Sequence, residues 1–304
     1  MAFTTTMTTT SDVDASVVLE YEQGVLLGYT PELVVTQAAT ISRSLNSKTI
    51  TFTKFDNLAL ATSALTEDTD PASVALVDAP ITITPLEYGN VVTTTALANF
   101  QTGGKADRAA AVLVGRNMGA TIDKLGMAVL EAHSTTVIWP NAVTVTTNLA
   151  DTDNLDRVFA GRLYNKLARK NVPGIGGQYI GFAHDDALFD LREALVPVSQ
   201  YQGLTSVLNN EVGMAAGIRW IRSSNIAVVN GGGAGTVDSY AVPVVGANAF
   251  GIGISKDPNP TVTGPFDKLS RFTNLGWYGV FKWSLIDTEN MVLGQVASSV
   301  GANS

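Results

Sequence analysis

The sequence predicts an α+β fold, and three stretches carry that prediction. Two runs, "KTITFTKF" and "ITITPLEYGNVVTTT", contain the alternation of apolar and polar residues that is typical of half-buried strands. A third stretch, "DRAAAVLVGRNMGATIDKLGMAVLEA", repeats apolar residues at three- and four-residue steps, which is typical of a helix. Because strand and helix signals occupy separate stretches of one chain, the predicted class is α+β.

The two strand-like runs predict a long hairpin that projects from the rest of the protein. Ile50 and Phe52 alternate with threonines in the first run, and Ile81 and Ile83 do so in the second. Roughly two dozen residues without a strong period separate them, whereas ordinary hairpin loops have about 2–5 residues. Pro85 limits the second strand to an edge or a bulge. An isolated hairpin is marginal in water, so we expect this flap to lean on another molecule or on the rest of the chain.

The strongest helical signal predicts one helix from Lys105 to Ala132. At about 1.5 Å per residue this helix would be about 42 Å long, well beyond the average of about 11–12 residues for globular helices. Three polar positions lie between its apolar ones, at Arg116, Asp123 and Lys124. Three glycines weaken it as a free helix, so packing along its length has to stabilise it. These glycines are Gly115, Gly119 and Gly126.

The second half of the chain predicts two more helices and several strands. One helix has Asp151 or Asp153 as its N-cap and ends before Pro173. Its apolar stripe comprises Leu155, Val158, Phe159, Leu163 and Leu167. A strand, a turn and a helix follow in "GGQYIGFAHDDALFDLREAL", and further strands are predicted within "GIRWIRSSNIAVV" and, as one apolar strand, within "AVPVVGANAFGIGI". The C-terminal "LGWYGVFKWSLIDTENMVLGQVASS" predicts a hairpin that turns at "DTEN".

Composition and charge argue against several functional classes. The 304-residue chain has a formal net charge of −8 and no cysteine. Binding nucleic acid through its phosphates needs clustered Lys and Arg, which an acidic balance disfavours. Without cysteine there is no disulfide, no thiolate zinc site and no Cys nucleophile. The N-terminus lacks a basic segment followed by an apolar one, and no stretch approaches about 18 uninterrupted apolar residues, so we expect neither a signal peptide nor a membrane span.

No group of residues has the spacing of a catalytic or metal site. His184 stands beside Asp185 and Asp186, but adjacent residues in a turn point in different directions, and a metal site needs three or four converging ligands. The favoured interpretation is that Asp185 or Asp186 caps a helix beginning at Ala187. His133 is interpreted as a cation at the C-terminal end of the long helix. The glycine-rich stretches lack a phosphate-loop lysine. The sequence therefore predicts no catalytic residue, no cofactor and no metal.

Several stretches together carry a resemblance to a known family. They are "KTITFTKFDNLALATSALTEDTDP", "LEYGNVVTTTALANF", "DRAAAVLVGRNMGATIDKLGMAVLEA", "ARKNVPGIGGQYIGFAHDDALFDLR", "NNEVGMAAGIRWIRSSNI" and "LGWYGVFKWSLID". In this order the chain resembles the major capsid protein of tailed bacteriophages, with the Hong Kong 97-type fold. It looks most like the branch related to the coat protein of phage N-four.

The resemblance implies a division of the chain into named parts. These are an N-terminal arm (residues 1–45), an extended loop that reaches over a neighbouring subunit (46–92), a peripheral domain (93–150 and 257–304) with a spine helix at 105–132, and an axial domain (151–256). The glycine-rich stretch from Asn230 to Gly235 would be one axial loop. The residues expected at subunit interfaces are Phe52, Phe55, Leu58, Leu60, Leu65, Glu67, Asp68, Arg116, Gly232 and Gly233.

The resemblance also implies a structural function without enzymatic activity. The chain is expected to assemble with itself, as pentamers and hexamers, into an icosahedral shell that encloses double-stranded DNA without sequence-specific binding. A portal and a separate scaffolding protein are the expected partners, and the virion is the expected location after synthesis in the host cytoplasm. Two alternatives stay open: the shell protein of an encapsulin-like nanocompartment with a cargo enzyme, and an α/β hydrolase or glycosidase whose catalytic residues form no recognisable motif.

Overall fold

The computed structural model describes residues 33–300 except 46, 56–57, 66, 69, 200–210, 266–267 and 270. Residues 1–32, which are most of the expected N-terminal arm, therefore lie outside the described part of the chain. The described part confirms the predicted α+β class, because it combines four α-helices with three sheets whose strands pair mostly antiparallel.

Four α-helices and thirteen strands make up the described part. The helices are α1 (Ala96–Thr102), α2 (Lys105–Glu131), α3 (Arg157–Ala168) and α4 (Asp185–Ser199). The strands are β1 (Thr40–Arg43), β2 (Ile50–Phe55), β3 (Asp78–Ile83), β4 (Leu86–Thr95), β5 (Val137–Ile138), β6 (Tyr179–Ala183), β7 (Glu211–Ala215), β8 (Ile218–Arg222), β9 (Val228–Val229), β10 (Ser239–Val245), β11 (Phe250–Thr263), β12 (Phe272–Leu285) and β13 (Met291–Val296).

The strands form three sheets. A four-stranded sheet has the order β1-β11-β12-β4, and a seven-stranded sheet has the order β5-β13-β10-β6-β8-β7 with β9 beside β10. Strands β2 and β3 form a separate two-stranded sheet. One apolar core lies between α2, the four-stranded sheet and one face of the seven-stranded sheet. A second core lies between the opposite face of the seven-stranded sheet and helices α3 and α4. Strands β6 and β10 are buried along their whole length because both of their faces are covered.

The predicted long hairpin is confirmed. Strands β2 and β3 pair antiparallel from Ile50 opposite Ile83 to Phe55 opposite Asp78, and residues 56–77 connect them. The second strand-like run divides near Pro85, as the missing N–H of proline favours. Strand β3 stays in the hairpin, whereas β4 becomes an edge of the four-stranded sheet. We call β2, β3 and their connection the flap.

The predicted long helix is confirmed as α2, which has 27 residues. Its buried residues recur at three- and four-residue steps and pack on β12 and β4. Asp123, one of the polar positions between the apolar ones, is fully buried. The glycine at 126 is explained by close packing, since a Cβ there would lie 2.8 Å from Cγ1 of Val35 and 3.1 Å from Cε2 of Trp283.

Two glycine-to-alanine variants test this packing. In Gly126→Ala, crowding costs about 1–3 kcal/mol, which outweighs the gain of about 1 kcal/mol in helix propensity. We therefore expect a lower midpoint in urea unfolding. Gly161 in α3 is the matched control, because a Cβ there meets no atom within 4 Å. Gly161→Ala should raise the free energy of unfolding by about 1 kcal/mol and therefore raise the urea midpoint. Equal effects of the two changes would contradict the packing argument.

Both predicted helix starts in the second half need correction. The N-cap of α3 is Asp156, whose carboxylate accepts a hydrogen bond from the backbone N–H of Phe159 at 2.6 Å. Asp153 is instead buried and accepts from Asn141 and from the backbone of Ala150. Val158 is exposed and does not belong to the buried stripe. Helix α4 begins at Asp185, so Asp185 and Asp186 lie in its first turn and are not caps.

The C-terminal third differs from the prediction in its strand pairing. The apolar run predicted as one strand breaks after Val245, and its halves enter different sheets as β10 and β11. The predicted C-terminal hairpin does not form, because β12 pairs with β11 and β4 whereas β13 pairs with β10 and β5. The expected axial limit at residue 256 falls inside β11, and β13 joins the seven-stranded sheet. The domain limits otherwise stay predictions.

Candidate subunit interface

The root of the flap is fixed to the body of the subunit by a small apolar core. Ile50, Phe52 and Ile83 bury their side chains against Ile286. Next to this core, Lys54 forms an ion pair with Asp287 at 3.0 Å. Phe52 is only 6% exposed. Its side chain packs inside its own subunit, and its place at a subunit interface stays a prediction.

Beyond the root, the flap presents apolar side chains to solvent. We call residues 58–77 the flap tip. Leu60 is 87% exposed and Leu65 is 77% exposed, and Phe55 and Leu58 are also mostly exposed. The structure adds three apolar residues that sequence reasoning missed, although "ASVALVDAP" contains them: Val74, Leu76 and Val77. Contiguous exposed apolar surface of this kind marks an interaction site.

The flap tip is acidic as well as apolar. Glu67, Asp68 and Asp70 are all exposed there. The flap tip can therefore contribute both apolar contacts and negative charge to a partner, and a basic partner surface would complement it.

Arg116 belongs to a basic face of the long helix. Helix α2 exposes four cationic residues: Lys105, Arg108, Arg116 and Lys124. Its two aspartates, Asp107 and Asp123, are buried, and its one glutamate, Glu131, lies half-buried at the last position of the helix. The exposed face is therefore positive although the whole chain carries a net charge of −8. Arg116 and the acidic flap tip thus offer opposite charges on two separate elements, which one subunit could present to another.

Gly232 and Gly233 lie in a half-exposed loop before β10 that the body of the subunit holds in place. Gly233 donates to the carbonyl of Val237 at 2.8 Å, and the neighbouring Ala234 donates to the carbonyl of Leu149 at 2.9 Å. A Cβ on Gly233 would lie 2.6 Å from the Leu149 oxygen, and one on Gly232 would lie 2.6 Å from Oγ of Ser239. Close packing alone explains both glycines, and their place at an interface stays a prediction.

Asp123 joins three separate segments, and sequence reasoning missed this role. Its Oδ1 accepts hydrogen bonds from the backbone N–H groups of Val34 and Val35, both at 2.8 Å. Its Oδ2 accepts from Asn225 at 2.8 Å and from Ser223 at 3.3 Å. The first described residues of the chain, the long helix and the segment after β8 therefore meet at one buried carboxylate. Such a joint can hold the chain that enters from the N-terminal arm at a fixed place.

The candidate chemical residues have structural roles. Nδ1 of His184 lies 3.2 Å from Oδ2 of Asp186, which also accepts from the hydroxyl of Tyr240 at 2.9 Å. Asp185 pairs instead with Arg222 at 3.4 Å. Over the described ranges, no three His, Asp or Glu side chains converge into a group that could hold a metal ion.

His133 is not the helix-terminal cation that the sequence suggested. It is buried, and its Nε2 accepts a hydrogen bond from the backbone N–H of Thr136 at 3.1 Å. Burial, and secondarily the nearby Lys170, lowers the pKa of His133 below its ordinary value. The imidazole is therefore neutral at neutral pH.

No helix within the described ranges is both long and apolar enough to cross a bilayer. No protein-family model and no curated protein matches the sequence. Solved structures, in contrast, share its fold.

Phage capsid chains are among the solved structures that share this architecture. The capsid of Ralstonia phage GP4 matches with a TM-score of 0.67 at 10% identity, over 88% of this chain and 92% of that one. The capsid of cyanophage Pam1 matches with a TM-score of 0.66 at 13% identity, over 91% and 93%. A virus-like particle from Pyrococcus furiosus matches with a TM-score of 0.55 at 11% identity, over 90% and 97%. The chain therefore has the fold of phage capsid proteins, as its resemblance to the Hong Kong 97-type fold implies.

Proposed function

We propose that this chain is the major capsid protein of a tailed double-stranded DNA bacteriophage and builds the icosahedral head shell of the virion. One observation carries the proposal: about nine-tenths of the chain shares its fold with phage capsid chains that are themselves matched over about nine-tenths of their length. The proposed role is structural, and the subunit acts through contacts with copies of itself.

The flap and the joint at Asp123 suit such a role. The flap tip exposes leucines that gain stability only when a neighbouring subunit covers them. A shell holds each subunit through several neighbours at once, so many weak contacts add up. On this proposal Leu58, Leu60, Leu65, Glu67 and Asp68 contact a second copy, and Arg116 lies on a surface that receives an acidic segment. Portal and scaffolding proteins would be further partners, and the enclosed DNA would be held without sequence-specific contacts.

A nanocompartment shell is the second candidate. The fold matches do not favour it, because the virus-like particle from Pyrococcus furiosus matches with a TM-score of 0.55, below the 0.66 and 0.67 of the two phage capsids. Its cargo would be an enzyme and not DNA. Co-purification of the assembled shells with a cargo enzyme would favour this candidate.

Electron microscopy of the purified chain tests the proposal. Closed shells of uniform size are the expected result, formed by the chain alone or together with a scaffolding protein. A strictly monomeric chain under all assembly conditions, with scaffold included, would refute the proposal. DNA protected from nuclease inside shells that are isolated from infected cells would separate a phage head from a nanocompartment.

A further inference from the structure

Strand β4 is a long open edge of the four-stranded sheet. Within the described ranges β4 pairs only with β12, through ten residue pairs in unbroken register from Leu86 to Thr95. The consecutive residues 89–93 are all exposed. Native proteins usually protect such edges with proline, lysine, a bulge or a short strand. The sequence "LEYGNVVTTT" has no proline and no lysine, and among the described residues no strand pairs with this side of β4, so the edge is suited to pairing with another strand.

The backbone groups on the open edge belong to alternate residues. The N–H of Val91 donates to the side chain of its neighbour Asn90 at 2.9 Å and not to β12, so it points toward the open edge. Ala96, the even-numbered residue that follows β4, points the other way. Its N–H donates to the carbonyl of Arg271, the residue just before β12, at 2.7 Å. Since backbone groups alternate along a strand, the residues that face the open edge are Glu87, Gly89, Val91, Thr93 and Thr95.

We propose that β4 pairs antiparallel with β4 of a second copy across a twofold axis, which joins two four-stranded sheets into one of eight strands. This inference rests on the proposed shell function, because it assigns one contact between subunits. Only odd-numbered residues present backbone groups to the edge, so odd residues lie opposite odd residues and one residue lies on the axis. The register that pairs most of the strand puts Val91 on that axis, with Gly89 opposite Thr93 and Glu87 opposite Thr95.

Charge and apolar surface fit this self-pairing. Glu87 is the only charged residue of β4, and its cross-strand partner is a threonine, so no like charges oppose each other. The twofold axis puts both α2 helices on the same face of the joined sheet. Asn117 of α2 already bonds Asn90 of β4 at 3.3 Å, and Leu113, one turn earlier, is 60% exposed. Leu113 and Val92 of both copies would therefore line the seam between the subunits, as an isologous interface requires.

Single cysteine variants test the pairing, because the chain has no cysteine of its own. In Val91→Cys the two thiols would lie opposite each other with Cβ atoms about 5.5 Å apart, about 1 Å more than the roughly 4.5 Å upper end of the disulfide range, so a small backbone shift brings them together. We expect assembled Val91→Cys shells, treated with oxidised glutathione, to yield covalent dimers in more than half of the subunits. Thr93→Cys should remain monomeric, since Thr93 faces Gly89. Thr147→Cys, an exposed position outside the sheets, controls for random collisions.

The outcomes distinguish this inference from the proposed function. Shells that form normally but show no excess of Val91→Cys dimers over Thr93→Cys and Thr147→Cys refute the β4 pairing alone. Thr53 lies in strand β2 of the flap. Dimers that appear only when Val91→Cys subunits are mixed with Thr53→Cys subunits would show that the open edge pairs with the flap of a neighbour. That result would also overturn the β4 pairing. If neither the parent chain nor the reduced variants form shells, the proposed function fails and the pairing fails with it.

Discussion

Replacing Asp123 with Ala is expected to lower the free energy of unfolding of the subunit by about 4 kcal/mol, since each buried donor left without an acceptor costs about 1–3 kcal/mol. The change leaves the backbone N–H groups of Val34 and Val35 without their acceptor, and it removes the acceptor for Ser223 and Asn225. Domains of ordinary stability have about 5–15 kcal/mol in total, so a loss of this size is a large fraction. Urea unfolding of the unassembled subunit measures it.

Asp123→Asn is the matched control. The asparagine keeps an oxygen for the two backbone N–H groups and nearly the same volume, but it loses the negative charge that strengthens these hydrogen bonds. A smaller loss of about 1–2 kcal/mol is expected for a charge-assisted hydrogen bond replaced by a neutral one. Thermolysin cleavage near Leu33 should also become faster in Asp123→Ala than in Asp123→Asn, because the alanine frees the segment at Val34 and Val35. Equal losses in both variants would show that charge, and not the acceptor oxygen, holds the joint.

The burial of Asp123 is a feature that residue type alone does not predict. The buried residues of α2 include Gly119, Gly126 and Met127, and three- and four-residue steps from these reach Asp123. Periodicity alone therefore assigns Asp123 to the buried face. The general preference of charged residues for solvent argues the other way, but here two other segments of the chain, at Val34–Val35 and after β8, supply hydrogen-bond donors that no local pattern contains.

Local signals predicted the hairpin and the long helix correctly, but they could not predict which strands become neighbours. Strands β12 and β13 are separated by only five residues, and two-residue periodicity and a polar turn are typical of a hairpin there. In the structure β12 pairs with β11 and β4, and β13 pairs with β10 and β5. Pairing across sheets depends on which long-range contacts bury the most apolar surface, and a single sequence does not record those contacts.

The exposure of the candidate interface residues could be predicted from local patterns, whereas their contacts with a neighbour stay predictions. Exposure of Leu58, Leu60 and Leu65 follows from their place in a long connection without a strong period. Phe52 was included with them, although it shares its strand face with the buried Ile50. The two-residue alternation separates Phe52 from Phe55, which lies on the opposite face and is exposed. Alternation, applied to each residue of β2 in turn, assigns Phe52 to the buried face of the strand and Phe55 to the exposed face.

Replacing Leu60, Leu65 and Leu76 together with Ser is expected to abolish shell assembly without unfolding the subunit. All three side chains are more than 60% exposed in the subunit, so its unfolding free energy should change by less than about 1 kcal/mol. On a neighbouring subunit each leucine would contribute about 1.5–3 kcal/mol when buried, so the triple change removes about 5 kcal/mol from every flap contact. Sedimentation and electron microscopy should then show at least a hundredfold fewer shells, because about 1.4 kcal/mol corresponds to a factor of ten in an equilibrium constant.

Phe52→Ala is the matched control, because it changes the root of the same flap instead of its tip. Phe52 packs against Ile50, Ile83 and Ile286 inside the subunit, so its truncation should cost about 3–5 kcal/mol of unfolding free energy. The two variants should therefore give different results. The triple serine variant should keep the melting temperature of the free subunit but fail to assemble. Phe52→Ala should lower the melting temperature of the free subunit. Normal shells from the triple serine variant would contradict the assignment of the flap tip to a subunit contact. That result would leave the edge of β4 and the basic face of α2 as the surfaces that hold neighbouring subunits together.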